Sequence, residues 1–194
     1  MSFRIGECRV TVSFWFFAIL AICAASGGSV MLYGVFAAVL HESGHIATAY
    51  ICAGRPPSTL DVTPFGLRMG AMPPGLRPSR ELCVCAAGIA VNLAVAAAAF
   101  ALNASGGVLT AANICIAAVN AVPVEPLDGG SIVRLLLERT LAPENTERAM
   151  SVISVISVFF LTLAGTAVLF ESRWNFSLLA LALCLAAKLL AWQL

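Results

Sequence analysis

Charge is scarce in this chain. Lys, Arg, Asp and Glu together make up 11% of its 194 residues, while 60% are hydrophobic and the mean hydropathy is +0.95. That balance excludes an ordinary soluble domain and places the chain in the membrane class. The net charge of +1 carries no basic run, so the electrostatic footprint of a nucleic-acid-binding protein is absent. Histidine occurs twice. Cysteine is plentiful but lacks a pattern: Cys8, Cys23, Cys52, Cys83, Cys85, Cys115 and Cys184 make an odd count without paired spacing, which excludes a disulfide framework. Cys83-x-Cys85 is too close a spacing for a zinc pair, and the cysteines read as small buried hydrophobes.

Six segments read as spanning or nearly so: residues 10–25, 30–53, 82–102, 107–137, 149–170 and 174–192, each near the ~20 residues that cross the hydrocarbon core. The Gly/Ser stretch 26–29 and residues 103–107 supply tight turns. With a cytoplasmic N-terminus, Arg4, Arg9, Arg55, Arg68, Arg77, Arg80, Arg134, Arg139, Arg148 and Lys188 lie at or near the inner face, and Arg173 alone lies outside. This positive-inside bias predicts an integral multi-pass cell-membrane protein in the lipid bilayer with both termini cytoplasmic. Arg4 and Arg9 followed by small residues at 24–28 resemble a signal peptide, but a retained signal anchor keeps the orientation that the other loops require.

The second apolar run contains His41-Glu42-Ser43-Gly44-His45. Ionisable residues at membrane depth are expensive and mark chemistry. Four residues apart on a helix, the two imidazoles share one face and can bind one metal ion together. Glu42 then stands where a general base belongs, completing the H-E-x-x-H pattern of zinc hydrolases.

Two histidines leave zinc under-coordinated, and the sequence offers Asp128 as a third ligand. The stretch Asn120-Ala121-Val122-Pro123-Val124-Glu125-Pro126-Leu127-Asp128-Gly129-Gly130 puts two prolines and two glycines into the fourth apolar segment, which predicts a broken helix. Non-helical backbone at membrane depth is tolerated only inside protein or beside water, so the break implies a hydrated cavity. Counting back ten residues from Arg55 to His45, and eleven from Arg139 to Asp128, places both groups ~15 Å below the inner face at 1.5 Å per helical residue. His41, His45 and Asp128 then leave the fourth zinc position for water. Glu125 is a rival ligand, ranked below Asp128. Zinc, one per chain, would bring the pKa of that water towards ~7, with Glu42 taking its proton and returning it to the departing amine.

These residues resemble the site-2 protease (M50) family of intramembrane zinc metalloproteases. The resemblance rests on His41-Glu42-Ser43-Gly44-His45 and on Asn120-x-x-Pro123-x-x-Pro126-Leu127-Asp128-Gly129-Gly130. Gly88-Ile89-Ala90-Val91-Asn92 is similar to the family's G-P-x-x-N, with Ile89 in place of proline. Phe14-Trp15, Pro64-Phe65-Gly66 and the compact layout resemble the sporulation branch, typified by stage IV sporulation protein FB. The resemblance implies a bacterial membrane metalloendopeptidase of the membrane surrounding the forespore. It would cleave a membrane-associated protein near the cytoplasmic side, with a pro-sigma factor as substrate and membrane-protein inhibitors or regulators as partners.

Asn120, and more weakly Asn92, are candidates for substrate or transition-state hydrogen bonding. Residues 61–75 are too short and too broken to span, and the resemblance implies a hairpin or re-entrant segment there, beside which an unwound substrate could lie. The expected fold is an all-α membrane protein of about six transmembrane helices with a broken fourth. It forms a single domain over residues 1–194 without PDZ or CBS domains. The competing reading is a six-helix metal or ion transporter that uses the same cluster; against it, the chain shows no pair of similar broken segments in two halves.

Overall fold

The computed structural model describes residues 2–5, 8–13, 29–54, 59–63, 66–69, 77–102, 107–173 and 175–193. The chain divides into two compact units, Met1–Asn120 and Ala121–Leu194.

The first unit carries β1 (Ser2–Ile5), β2 (Cys8–Val12), α1 (Ser29–Ala53), β3 (Thr59–Thr63), β4 (Gly66–Met69), α2 (Pro78–Ala101) and α3 (Val108–Asn120). Helix dominates, as expected, but the all-α expectation did not contain the four-stranded sheet, ordered β1-β2-β3-β4. β1 and β2 pair antiparallel, β2 and β3 parallel with Val10 opposite Leu60, and β3 and β4 antiparallel with Leu60 opposite Met69. Parallel neighbours need a long crossover, and α1 lies in the chain between β2 and β3. The alternation of Val10-Thr11-Val12 and the β-branched residues of Thr59–Thr63 suit a pleated surface. The expected span 10–25 therefore begins inside β2, and its residues 14–25 lie outside the described residues. In the stretch 61–75, for which a hairpin or re-entrant segment was expected, β3 and β4 pair antiparallel, and residues 64, 65 and 70–75 lie outside the described residues.

α1, α2 and α3 pack pairwise. Small residues line their contacts: Ala37, Ala49, Ala87, Ala96, Ala99 and Ala117 are buried, whereas Phe36, Ile51, Leu93 and Phe100 face outward. This arrangement is that of helices surrounded by hydrocarbon, where close backbone approach replaces hydrophobic burial as the source of cohesion. Gly44 shows it directly, since a β-carbon there would lie 2.8 Å from Val91 Cγ2 and 3.0 Å from the Ala87 carbonyl oxygen. α1 stops at Gly54, whose φ of 67° is the left-handed cap conformation and whose N–H donates to the Tyr50 carbonyl at 2.8 Å. The Arg80 guanidinium donates to another terminal carbonyl, that of Cys52, at 2.8 Å.

The second unit holds the turn 121–127, α4 (Asp128–Leu137), α5 (Pro143–Ser172) and α6 (Ser177–Gln193). Val124, Val158 and Leu185 form its buried core, with Val122, Leu127, Leu161, Leu181, Ala186 and Leu189 around them. Gly165 brings α5 and α6 together: a β-carbon there would lie 2.8 Å from both Cα and N of Leu179. Gly165→Ala should therefore destabilise this unit by about 1–3 kcal/mol of overpacking, despite the better helix propensity of alanine. Thermal unfolding in detergent, read by circular dichroism, checks the sign.

The expected break in the fourth apolar segment is observed, since helix ends at Asn120 and resumes at Asp128. Among the described residues, three helices are long and apolar enough to cross a membrane: Val30–Ala53, Pro78–Ala101 and Pro143–Ser172. α2 and α5 start earlier than hydropathy alone indicated, because each opens on a proline at the first helical positions, where no N–H is needed. Length and composition together mark an integral membrane protein.

Candidate functional site

His41 and His45 stand one turn apart on α1, 3% and 5% exposed, with ring centroids 4.7 Å apart. Each Nδ1 faces a group that can only accept. His41 Nδ1 is 2.6 Å from Asn92 Oδ1, and His45 Nδ1 is 2.7 Å from the Val84 carbonyl oxygen. Both Nδ1 atoms must then carry hydrogens, and both Nε2 atoms of the neutral rings carry lone pairs. Those Nε2 atoms are 3.1 Å apart. Two lone pairs at that distance repel unless a cation lies between or beside them, and such a pair could hold a metal ion.

The space they face is kept open by Gly88. A β-carbon at that position would lie 2.3 Å from His45 Nε2 and 2.6 Å from His41 Nε2. The missing side chain therefore lets α2 pack directly against the two rings, and any larger residue would push them from these positions. The donor set fits a zinc ion: two neutral imidazoles presenting Nε2, each with Nδ1–H anchored by an oxygen acceptor, as metal-ligating histidines require.

Asn92 anchors the first of these rings. It is fully buried, and its Nδ2 donates to the Ala37 carbonyl at 3.0 Å and to Asn113 Oδ1 at 2.8 Å. Both of its hydrogens are thus engaged within the protein, and its Oδ1 faces His41. Glu42, next to the pair on α1, is half-buried. Ser43 donates its hydroxyl to the Val39 carbonyl at 2.7 Å, a bond within its own helix. Asn120, the last residue of α3, is half-buried and donates to the Ile116 carbonyl at 3.1 Å.

Within the second unit, Asp128 is the first residue of α4 and half-buried. A carboxylate is favoured at a helix N-terminus. The two glycines after it permit the turn to fold back on that first helical turn. A β-carbon on Gly129 would lie 2.3 Å from the Ala121 carbonyl oxygen, and one on Gly130 2.5 Å from Glu125 N. Glu125 is engaged elsewhere, its two oxygens taking Arg134 Nε at 2.5 Å and Nη2 at 3.1 Å. Glu147 accepts from the same guanidinium. This bidentate pairing supplies a structural role for Glu125 and removes the reason to count it as a rival ligand.

Neither Gly88 nor Asn113 announces its place beside the histidines in the sequence. A buried amide on an apolar helix face was the available signal for Asn113. Nothing in a lone glycine announces which atoms oppose it.

Residues 103–164 match the family described as Peptidase family M50. That stretch includes Asn120, the helix break and Asp128. Among solved structures the chain is similar to the site-2 protease from Methanocaldococcus jannaschii, with a TM-score of 0.64 at 19% sequence identity, over 95% of this chain and 92% of that one. The likeness establishes a shared fold. No curated protein matches the chain.

Proposed function

We propose that this chain is an intramembrane zinc metalloendopeptidase that cleaves a membrane-associated protein near the cytoplasmic side. His41, His45 and Asp128 hold one zinc ion, and Glu42 is the general base. The observation that carries the reading is the pair of Nε2 lone pairs held side by side against Gly88, with Glu42 adjacent on the same helix. The match of residues 103–164 to Peptidase family M50 supports it, and so does the fold shared with a site-2 protease. Asp128 belongs to the matched stretch, offers the hard oxygen that completes three protein ligands, and leaves a fourth position open.

Zinc bound there acidifies a water molecule and polarises the scissile carbonyl. Glu42 accepts a proton from the attacking water as the new C–O bond forms. It then delivers that proton to the amine nitrogen as the C–N bond breaks, giving a carboxylate and an amine. Asn92, through His41, keeps the imidazole in the tautomer that presents Nε2. Asn120 supports the substrate or the transition state by hydrogen bonding from the end of α3.

A helical substrate shields its own peptide bonds, so the scissile segment must enter extended. β4, at one end of the sheet order, offers a backbone edge for such a strand. The ten basic residues assigned to the inner face support cytoplasmic termini and substrate access from that side, and the resemblance implies a bacterial cell membrane. The resemblance of the compact layout, Phe14-Trp15 and Pro64-Phe65-Gly66 to the sporulation branch makes a membrane-tethered pro-sigma factor the first candidate substrate and membrane-protein inhibitors the first candidate regulators. Co-expression of a pro-sigma factor and of an unrelated membrane-tethered protein with the wild type tests this. Cleavage of the pro-sigma factor alone is expected; cleavage confined to exposed soluble peptides would count against a membrane substrate.

A further inference from the structure

Asn113 lies on α3, fully buried, two turns before Asn120. Its Nδ2 donates to the Leu109 carbonyl at 2.9 Å, and its Oδ1 accepts from Asn92 Nδ2 at 2.8 Å. Asn92 Oδ1 in turn accepts from His41 Nδ1 at 2.6 Å. The chain Leu109–Asn113–Asn92–His41 runs in one direction of donation, from the imidazole N–H at one end to a backbone carbonyl oxygen at the other.

We infer that Asn113 is a positioning residue for the metal centre, holding the Asn92 amide in the one orientation that keeps His41 as its Nδ1–H tautomer. The functional consequence rests on the metal reading of the histidine pair. An asparagine amide has nearly the same shape after a half-turn about its last bond, so shape alone cannot hold Asn92. Hydrogen bonding can. Reversal would set Asn92 Oδ1 against two acceptors, the Ala37 carbonyl and Asn113 Oδ1, and turn its NH2 towards His41 Nδ1. His41 would then keep its hydrogen on Nε2 and lose the lone pair that a metal requires. Asn113 resists reversal for the same reason, because its own half-turn would oppose Oδ1 to the Leu109 carbonyl and NH2 to NH2. A buried amide is costly unless its groups are bonded, and every polar group of Asn92 finds its complement along this relay.

His45 is an internal control, since its Nδ1 partner is the Val84 backbone carbonyl, which Asn113 does not touch. With two histidines in the chain, nitrogen NMR of protein labelled with 15N-histidine reads each ring separately. The wild type at mildly alkaline pH without metal is expected to show Nδ1–H on both rings. Asn113→Ala should move His41 towards a mixture of tautomers, leave His45 unchanged, and weaken zinc binding about tenfold, the lower end of the effect of removing an outer-shell partner. Asn113→Leu fills the same volume and should give the same shift if the alanine cavity prevents folding. Asn113→Asp, which as a neutral acid reproduces both the donor and the acceptor, should keep the wild-type tautomer and affinity.

An unchanged His41 tautomer in Asn113→Ala and Asn113→Leu, with zinc affinity within twofold of wild type, overturns the inference. So does equal loss in the aspartate and alanine variants, which would mark a packing role. A wild type that binds no zinc but shows the expected tautomer shifts would retain the relay and remove the metal reading, so the two failures are distinguishable.

Discussion

Gly88→Ala is expected to empty the metal site while leaving the helices formed. Alanine in place of glycine inside a helix ordinarily stabilises by about 0.8–1 kcal/mol, so a loss here must come from contact. The added carbon would lie 2.3 Å from His45 Nε2 and 2.6 Å from His41 Nε2. Neither ring can retreat without breaking its Nδ1 bond to Val84 or Asn92. Zinc affinity should fall on the order of 100-fold or more, beyond the lower range seen when an outer-shell partner is removed, and proteolysis should fall with it. Zinc analysis of purified protein, with far-ultraviolet circular dichroism as the control on folding, reads both quantities. Zinc bound at wild-type affinity by Gly88→Ala would show that the ring positions Gly88 permits are not the ones a metal needs.

Glu42→Gln separates chemistry from binding. Glutamine keeps the size of the side chain and removes the basic oxygen, and Glu42 is not among the proposed ligands. Cleavage should fall by about 10²–10⁴-fold, the usual contribution of a general base, while the zinc content is unchanged. The transporter reading of the same residues expects altered ion affinity and no proteolysis in the wild type. Retained cleavage in Glu42→Gln would remove Glu42 from the mechanism.

The helix that carries His41 and His45 was legible because two independent signals coincide in it: an apolar run of spanning length and a histidine pair at helical spacing. The break before Asp128 was legible from Pro123, Pro126, Gly129 and Gly130, whose backbone limits act locally. The sheet was not. Its strands are four or five residues long, and the pairing of Val10 with Leu60 is non-local. A hydropathy window absorbs Val10 and Val12 into an adjoining span. Asn92 was visible as a polar residue at depth, but its role depends on which partners meet its two hydrogens, and that is a fact of packing. The same holds for Asn113 and Gly88, whose importance lies in the atoms opposite them.

The most direct test of the central claim is the zinc content of the purified wild type beside His45→Ala and Asp128→Ala, together with zinc-edge X-ray absorption on the wild type. One zinc per wild-type chain, in a nitrogen and oxygen environment with imidazole distances of about 2.0–2.1 Å, and loss of tight binding in both variants, is the expected result. A wild type without zinc, or an Asp128→Ala variant that binds it as tightly as the wild type, would contradict the proposed centre.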